Sequence, residues 1–184
     1  MNRIFVYLKA QWINMHTLIA AFIFLLATSV FCQEQIQLEL HQDARLAVLG
    51  DDHGNSPGTL DFKVGVALQG KQFEHYYFEV KPQFEYANLS GGKYVSWLMN
   101  GGWVLNKMIK NFEAGAYLTT GFLHRFGTSY MIFGGTFELS YRLTKKLKLG
   151  AMLQILNSPD LKDKWGDDKL RKSVYGGIKY VIWN

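Results

Sequence analysis

The stretch SYMIFGGTFELSYRL, residues Ser129 to Leu143, separates into two alternating rows of different polarity. The row that begins at Ser129 and ends at Leu143 carries no charged residue, whereas the other row includes Glu138 and Arg142. Successive side chains of a β-strand point to opposite faces of a sheet, so the two rows would meet two different environments. The stretch predicts a strand, and it leaves open whether the uncharged row faces a protein core or lipid.

The beginning of the chain differs from the rest. Arg3 and Lys9 precede the apolar segment LIAAFIFLLATSV, Leu18 to Val30, which ends among small residues. This segment is shorter than the about 20 apolar residues that a membrane-spanning helix needs. We therefore predict a secretory signal peptide over residues 1–32, followed by a single domain over residues 33–184.

Cysteine content and charge exclude several classes of protein. Cys32 is the only cysteine, so no disulfide can form within the chain. Lipid attachment at Cys32 is disfavoured because Phe31 precedes it, where a small residue is needed. Translation from Met1 or Met15, and cleavage after Ser29 or Cys32, stay open. Of the 20 Lys and Arg residues two lie in the leader, and the remaining 18 against 15 acids give a formal charge of +3. The basic residues do not form a clustered face, so the sequence does not predict nucleic-acid binding.

Alternation with a period of two continues almost throughout the chain after residue 34, and no segment has the pattern of an amphipathic helix of ordinary length. We predict an all-β domain of eight strands. The first and last residues of the eight uncharged rows are Ile36 and Val48, Leu60 and Leu68, Tyr76 and Tyr86, Val95 and Leu105, Phe112 and Phe126, Ser129 and Leu143, Leu147 and Ile155, and Val174 and Ile182.

The charged residues of the predicted strands fall on the opposite rows. Seven acids meet seven bases: Glu39, Asp43, Asp61, Glu79, Glu85, Glu113 and Glu138 against Arg45, Lys63, Lys81, Arg125, Arg142, Lys148 and Lys179. His41 and His75 are on the same rows. A soluble sandwich or a lipocalin-like barrel also alternates, but its apolar row faces inward. Alternation alone therefore leaves both interpretations open.

Three features favour lipid. The segments run about 10 to 15 residues, where a membrane-spanning strand needs about 9 to 11 and soluble strands average about 5 to 6. Aromatic residues lie toward the ends of the apolar rows, as at a membrane interface. Connections two, four and six are short, whereas the longest connections, residues 50–58 and 157–172, share the opposite end. Short turns at one end and long loops at the other are typical of bacterial barrels.

Residues 35–183 resemble the small eight-stranded outer-membrane barrels of Gram-negative bacteria, of the OmpA/OmpX architecture. The resemblance implies an eight-stranded antiparallel up-and-down transmembrane β-barrel, exported by its signal peptide to the bacterial outer membrane. It also implies a monomer in contact with outer-membrane lipid and lipopolysaccharide, inserted by the barrel-assembly machinery. Such chains commonly end on an aromatic residue, and here Trp183 is followed by Asn184.

An eight-stranded barrel is just wide enough inside to be filled by side chains. We therefore expect the charged rows, with His41 and His75, to form a polar network that plugs the barrel, and a diffusion channel is less favoured. We expect no cofactor and no metal. Pro82 lies within the third predicted strand and lacks an amide donor, which predicts a bulge there or a later start of the strand.

The two long loops would stand at the same outer end and carry the candidate binding residues. These are Asp51, Asp52, His53, Trp165, Asp167 and Asp168. The acids could bind a divalent cation, but basic residues are interleaved with them, and a solvated charged loop is favoured. The tryptophan either folds back on the rim or is presented as a contact residue. The basic residues could meet lipopolysaccharide phosphates.

The sequence does not predict a catalytic residue. His41 and His75 lack a hydroxyl nucleophile at a recognisable spacing, and HRFGTS, His124 to Ser129, places its histidine on the apolar row near a strand end. Our first hypothesis is a non-enzymatic outer-membrane barrel that presents surface loops for envelope integrity, adhesion or surface recognition. The alternatives are a lipid A-modifying enzyme and a soluble periplasmic lipocalin-like carrier.

Overall fold

The described residues, 34–51, 53–106, 109–166 and 170–183, form a closed eight-stranded barrel in the computed structural model. The strands are β1 (Gln35–Asp43), β2 (Asp61–Gln72), β3 (Tyr76–Leu89), β4 (Gly92–Asn106), β5 (Phe112–Arg125), β6 (Thr128–Arg142), β7 (Leu147–Asn157) and β8 (Leu170–Trp183). Each strand pairs antiparallel with the next, and β1 pairs with β8. The predicted fold is confirmed, and the predicted signal peptide lies outside the described residues.

The apolar rows face outward and the charged rows face inward. Leu118 is 81% exposed and Trp97 is 64% exposed, whereas Glu39 and Lys81 are each 0% exposed. In the stretch that opens the sequence analysis, Phe133 and Phe137 are more than half exposed. A soluble lipocalin-like carrier requires apolar rows that face inward. The apolar rows of this chain face outward, so that alternative prediction is wrong.

The two ends of the barrel differ. At one end, which we call the turn end, short segments join β2 to β3, β4 to β5 and β6 to β7. The other end, which we call the loop end, has two long connections that contain the short helices α1 (Ala44–Val48) and α2 (Pro159–Trp165). No helix among the described residues is long and apolar enough to cross a membrane.

Two-residue turns join β3 to β4 and β5 to β6 at the loop end. In the second of these turns Phe126 and Gly127 have φ angles of 54° and 76°. Positive φ at both central residues is the geometry that matches the twist of a two-residue hairpin, and glycine adopts it without steric cost. The two turns hold β3 against β4 and β5 against β6 in a register that stays paired up to each turn.

The first predicted strand is too long, because the chain leaves the sheet at Asp43. The Oδ1 atom of Asp43 accepts a hydrogen bond from the amide of Leu46 at 3.0 Å and so begins α1. An aspartate in this position accepts a hydrogen bond from an amide of the first helical turn, which has no partner within the helix. Arg45 therefore lies on an exposed helix and not inside the barrel, so its predicted lumen position is wrong.

His75 is a second correction, since it lies in the exposed turn before β3 and its side chain is 58% exposed. Its ring lies 3.5 Å from Glu74 and contributes nothing to the interior. Arg142, at the turn end of β6, is half exposed, yet it donates to Glu113 at 2.6 Å.

Pro82 lies in the middle of β3, which begins at Tyr76, so the prediction of a bulge or a late start is wrong. The pairs Gly65↔Gln83 and Leu68↔Val80 keep one register on either side of the proline. Among the described β2–β3 partners, Val66 and Ala67 are skipped. The missing amide thus interrupts the ladder without shifting it.

Aromatic side chains cluster toward both rims of the outer surface. At the turn end Tyr76 contacts Trp103 with ring centroids 5.5 Å apart, and Phe112 lies 4.9 Å from Tyr141. In the loop-end half of the barrel Phe84 and Trp97 lie 4.7 Å apart. Each of the two ends has a further aromatic pair. Two such girdles border the apolar band of transmembrane barrels.

Candidate functional site: the polar interior and the loop-end cap

Five side chains meet at mid-height of the lumen and form what we call the central cluster. They are Glu39, Glu79, Lys81, Glu138 and Lys179, contributed by β1, β3, β6 and β8. Lys81 pairs with Glu138 and lies 3.7 Å from Glu79, and Lys179 pairs with Glu138 and lies 2.9 Å from Glu39. Because these strands are not all neighbours, the ion pairs connect opposite walls of the barrel.

His41 borders the central cluster but makes no catalytic pair there. Its side chain is 1% exposed, and neither ring nitrogen has a hydrogen-bond partner among the described residues. A general base acting on a hydroxyl nucleophile needs that hydroxyl within hydrogen-bond reach. The interior histidine therefore gives no support to an acyl-transfer site inside the lumen.

A second group, which we call the upper cluster, fills the lumen near the loop end. Arg171 donates to Asp61 at 2.8 Å and lies 2.9 Å from Glu85. Glu85 also accepts from the Tyr175 hydroxyl at 2.9 Å and lies 3.4 Å from Lys63. Lys63 in turn donates to a glutamine of β7. Charged and hydrogen-bonded side chains thus continue from the central cluster toward the mouth.

Glu113 organises the polar side chains at the turn end of the lumen. Its carboxylate accepts from Lys148 at 2.6 Å, from Arg142 at 2.6 Å and from the Tyr77 hydroxyl at 3.2 Å. Three polar levels therefore lie above one another inside the barrel. A buried charge must be paired to be tolerated, and these levels pair most of the charges that the inward rows supply.

The first long loop is organised around Asp51. Its Oδ1 atom accepts from the amides of His53 at 3.0 Å and Asn55 at 3.1 Å, and its Oδ2 atom accepts from the Asn55 side chain at 2.7 Å. Partial burial alone would raise the pKa of Asp51, but these hydrogen bonds outweigh it and the pKa is lowered. The carboxylate is used to shape the loop.

The connections at the loop end pack together into what we call the loop-end cap. Asn55 accepts from the Ser90 amide at 2.6 Å, and the Ser90 hydroxyl donates to the carbonyl of His53 at 2.7 Å. Trp165 of α2 stacks on His53 with ring centroids 4.8 Å apart. The first long loop is thereby joined to the β3–β4 turn and to the last long loop.

Arg125 holds the cap to the barrel wall. It donates to Asp160 at 2.9 Å, and its guanidinium lies 4.7 Å from the Trp165 ring. The Ser158 hydroxyl donates to the same aspartate at 2.5 Å. Arginine stacked on an aromatic ring and paired with a buried carboxylate is a rigid support. Trp165 consequently folds back onto the rim, which is one of the two predicted alternatives.

The structure brings together Asp51, His53 and Trp165 among the six predicted loop residues. The other three, Asp52, Asp167 and Asp168, lie outside the described residues. Among the described residues no three His, Cys, Asp or Glu side chains are arranged to hold a metal ion.

Sequence reasoning missed Tyr94 and Arg171, which both line the mouth. The alternation would have found them. Tyr94 shares the inward row of Ser96, and Arg171 shares that of Tyr175. The last strand begins at Leu170, earlier than its apolar row indicates, so Arg171 belongs to the wall and not to the loop.

On the outer surface of the described part of the chain, we find one contact between groups that can take part in catalysis. It joins His124 and Ser129. The Nδ1 atom of His124 lies 3.1 Å from Oγ of Ser129, at an exposed position near the loop end. The two residues face each other across the β5–β6 pair. His124 lies on the outward apolar row of β5, as the sequence predicts.

No protein-family model and no curated protein matches the chain. Solved structures do. The outer membrane protein Ail of Yersinia pestis, in a phospholipid bilayer nanodisc, has a TM-score of 0.53 and 11% identity, covering 81% of this chain and 100% of that chain. Neisserial surface protein A has a TM-score of 0.46 and 9% identity, covering 79% of this chain and 94% of that chain. A de novo designed transmembrane β-barrel has a TM-score of 0.42 and 15% identity, covering 82% and 99%. The similarity to Ail establishes the fold, that of a small eight-stranded transmembrane barrel.

Proposed function

We propose that this chain is an outer-membrane protein whose filled barrel anchors the loop-end cap at the cell surface for recognition or adhesion, without catalysing a reaction. The observation that carries the proposal is the division of the barrel surface. Its outer face is an apolar band between aromatic girdles, and its interior is occupied by paired charges. A closed sheet with this polarity satisfies its backbone in lipid and leaves only its ends in water.

The cap supports a role at the surface. Its two long loops are tied to each other and to the barrel by Asn55, Trp165 and Arg125, so they present a preformed surface. Preformed surfaces bind partners at a lower entropic cost than mobile loops do. Ail, which has the same fold, is named an attachment invasion locus protein, and adhesion is one form that recognition by this cap would take.

The proposal includes the route to the membrane. The signal peptide over residues 1–32 would export the chain, and the barrel-assembly machinery would insert it as a monomer among outer-membrane lipid and lipopolysaccharide. The exposed Lys172, on the outer face of β8 near the loop end, is placed to meet lipopolysaccharide phosphates.

Cell fractionation combined with gel migration tests the membrane location. The full chain is expressed in a Gram-negative host, and the outer-membrane fraction is run with and without boiling. We expect the protein in the outer membrane and a band that shifts on boiling, because a closed barrel resists detergent until it is heated. Recovery from the soluble periplasm without a shift would contradict the proposal.

Cysteine labelling tests the orientation. In a Cys32→Ser background, Ser56→Cys at the loop end and Lys145→Cys at the turn end are each labelled in intact cells with a membrane-impermeant maleimide. Both positions are exposed, so they form a matched pair. We expect labelling at position 56 alone. Labelling at position 145 alone would place the cap on the inner side and remove the surface role.

A lipid-modifying enzyme is the second candidate, favoured by the 3.1 Å contact between His124 and Ser129 on the outer surface. A histidine next to a serine hydroxyl is the beginning of a nucleophile and base pair. Mass spectrometry of lipid A from cells that express the wild type or Ser129→Ala tests it, with Ser56→Ala as control. A change of lipid A mass that only Ser129→Ala abolishes would favour the enzyme over the anchor.

A further inference from the structure

A small cavity of about 120 Å³ opens between the upper cluster and the loop-end cap. Its charged and phenolic lining residues come from α1, the first long loop, β4, β5 and β8, and they are Arg45, Asp51, Tyr94, Arg125, Arg171 and Lys172. His53, Asn55 and four leucines, from α1, β3, α2 and β8, complete the wall. Since a water molecule occupies about 30 Å³ in the liquid, the cavity has room for a few waters or one small oxyanion.

The charge of the lining favours an anion. Arg45, Arg125 and Arg171 line the cavity together with one carboxylate, Asp51, whose oxygens already accept from the loop itself. Lys172 also borders the cavity, although it lies on the outward row of β8. Arg125 and Arg171 are held in place by their buried acids. Arg45 and Lys172 are exposed, and within the described part of the chain neither forms an ion pair. They therefore leave the lining with an excess of positive charge.

Tyr94 supplies a donor that the protein does not use. The residue is 1% exposed, and its hydroxyl has no hydrogen-bond partner among the described residues. The guanidinium of Arg171 lies 4.3 Å from its ring. Nε of Arg125, a side chain that is itself 3% exposed, is likewise without a partner. Buried donors in folded proteins are ordinarily paired, so two unpaired donors on one cavity are available to an acceptor that enters it, whether water or an anion.

We propose that this cavity binds a phosphate group. Guanidinium groups match the geometry of phosphate oxygens, a phenol adds a neutral donor, and the cavity has room for a single oxyanion. The same chemistry could come from free inorganic phosphate or from a phosphomonoester at the edge of a lipid headgroup. The inference goes beyond the proposed function and does not depend on it, since binding is measured on the purified barrel.

Calorimetric titration of inorganic phosphate into the purified full chain in maltoside micelles tests the site. We expect binding that Tyr94→Phe weakens about tenfold, as the loss of one hydrogen bond to a charged group predicts. Arg45→Ala should weaken it severalfold. Lys145→Ala removes an exposed lysine at the turn end and should leave the affinity unchanged. The boiling shift of each variant confirms that it has folded.

The source of the phosphate is distinguished by a second titration. Micelles that contain phosphatidic acid are compared with micelles that contain phosphatidylcholine, which has no phosphomonoester. If phosphatidic acid alone prevents inorganic phosphate from binding, the site takes a lipid headgroup; if it does not compete, the ligand is free phosphate.

Two results would overturn the inference. One is that neither inorganic phosphate nor phosphatidic acid binds to the folded wild type. The other is that both bind but Tyr94→Phe and Arg45→Ala leave the affinities as they were, because the charge would then act from elsewhere. Should Tyr94→Phe fail to fold, the exposed Arg45→Ala decides between the outcomes. Either result leaves the surface role intact, since the labelling experiment tests that separately.

Discussion

Lys81 illustrates how single residues hold the lumen together. Its ammonium group is completely buried, and it lies within 4 Å of Glu39, Glu79 and Glu138. The ring of Tyr117 lies 3.8 Å away. Replacing a whole buried ion cluster by apolar groups is often neutral, but removing one partner leaves uncompensated charge. Lys81 is therefore needed to compensate the charge of the buried carboxylates around it.

We predict that Lys81→Met lowers the free energy of unfolding by about 3 to 5 kcal/mol, since three carboxylates would then share Lys179 alone. Urea titration in lipid vesicles, followed by tryptophan fluorescence, measures the change. The exposed Lys145→Ala should change the free energy by less than about 0.5 kcal/mol. Adding Glu138→Gln to Lys81→Met should restore part of the loss. Equal midpoints for Lys81→Met and the wild type would contradict this account.

Asp51 gives the cap a defined dependence on pH. Its pKa is lower in the folded loop than in the unfolded chain, so its stabilisation is fully present above the unfolded pKa of about 3.9 and is lost as pH falls through the folded pKa. We predict that the amide resonance of Asn55 in micelles is unchanged from pH 7 to about pH 4 and shifts below that. In Asp51→Asn the acid shift should be absent. A shift centred near neutral pH would contradict the assignment.

Sequence alternation predicted which residues face the lumen, but it did not predict which of them pair. Glu39 and Lys179 are partners only because β1 and β8 close the barrel in one register. Arg45 could not be placed from the sequence, because one side-chain cap at Asp43 changes strand into helix. Such a cap is a local competition that a period of two does not reveal.

At the scale of the element, strand pairing depends on glycines where neighbouring backbones come close. An ideal Cβ at Gly134 of β6 would lie 2.0 Å from the Ile155 carbonyl oxygen of β7. A Cβ at Gly176 of β8, by contrast, would meet no atom within 4 Å. The eight strands were predictable because each spans several alternations, whereas α1 and α2, of five and seven residues, are too short to show a helical period.

We predict that Gly134→Ala destabilises the barrel by about 1 to 3 kcal/mol or prevents its assembly, because the new methyl group can be accommodated only by moving β7. Gly176→Ala is the matched control and should fold like the wild type. The fraction of protein that shows the boiling shift after refolding into micelles measures the difference. Equal folded fractions for the two variants would show that β6 and β7 can separate at this point.

At the scale of the whole molecule, the polarity of the two faces of the sheet is the reverse of that in a soluble barrel. The apolar face is outside, and the lumen contains three levels of paired charge. Length, aromatic content and loop distribution were sufficient to predict this inversion. The phosphate cavity was not predictable, since its lining comes from seven separate segments that only the folded chain brings together.

We predict that the purified protein forms no stable ion-conducting pore in a planar lipid bilayer. The central cluster crosses the lumen, and its two lysines and three glutamates leave no continuous water path of one sign. A triple variant, Tyr117→Ala with Lys81→Ala and Glu138→Ala, should conduct if it folds. Steady single-channel currents from the wild type would require a wider lumen than the structure has.

The closing pair of β1 and β8 has a kinetic consequence. Glu39 faces Lys179, a partner 140 positions later in the chain, so the ring is completed only when its two ends meet. Until then both end strands carry unpaired backbone groups and the apolar rows have no lipid to cover them. Contacts so remote in sequence make folding slow, and slow folding exposes the chain to aggregation. We therefore expect a polypeptide built in this way to depend on being held soluble until it reaches lipid.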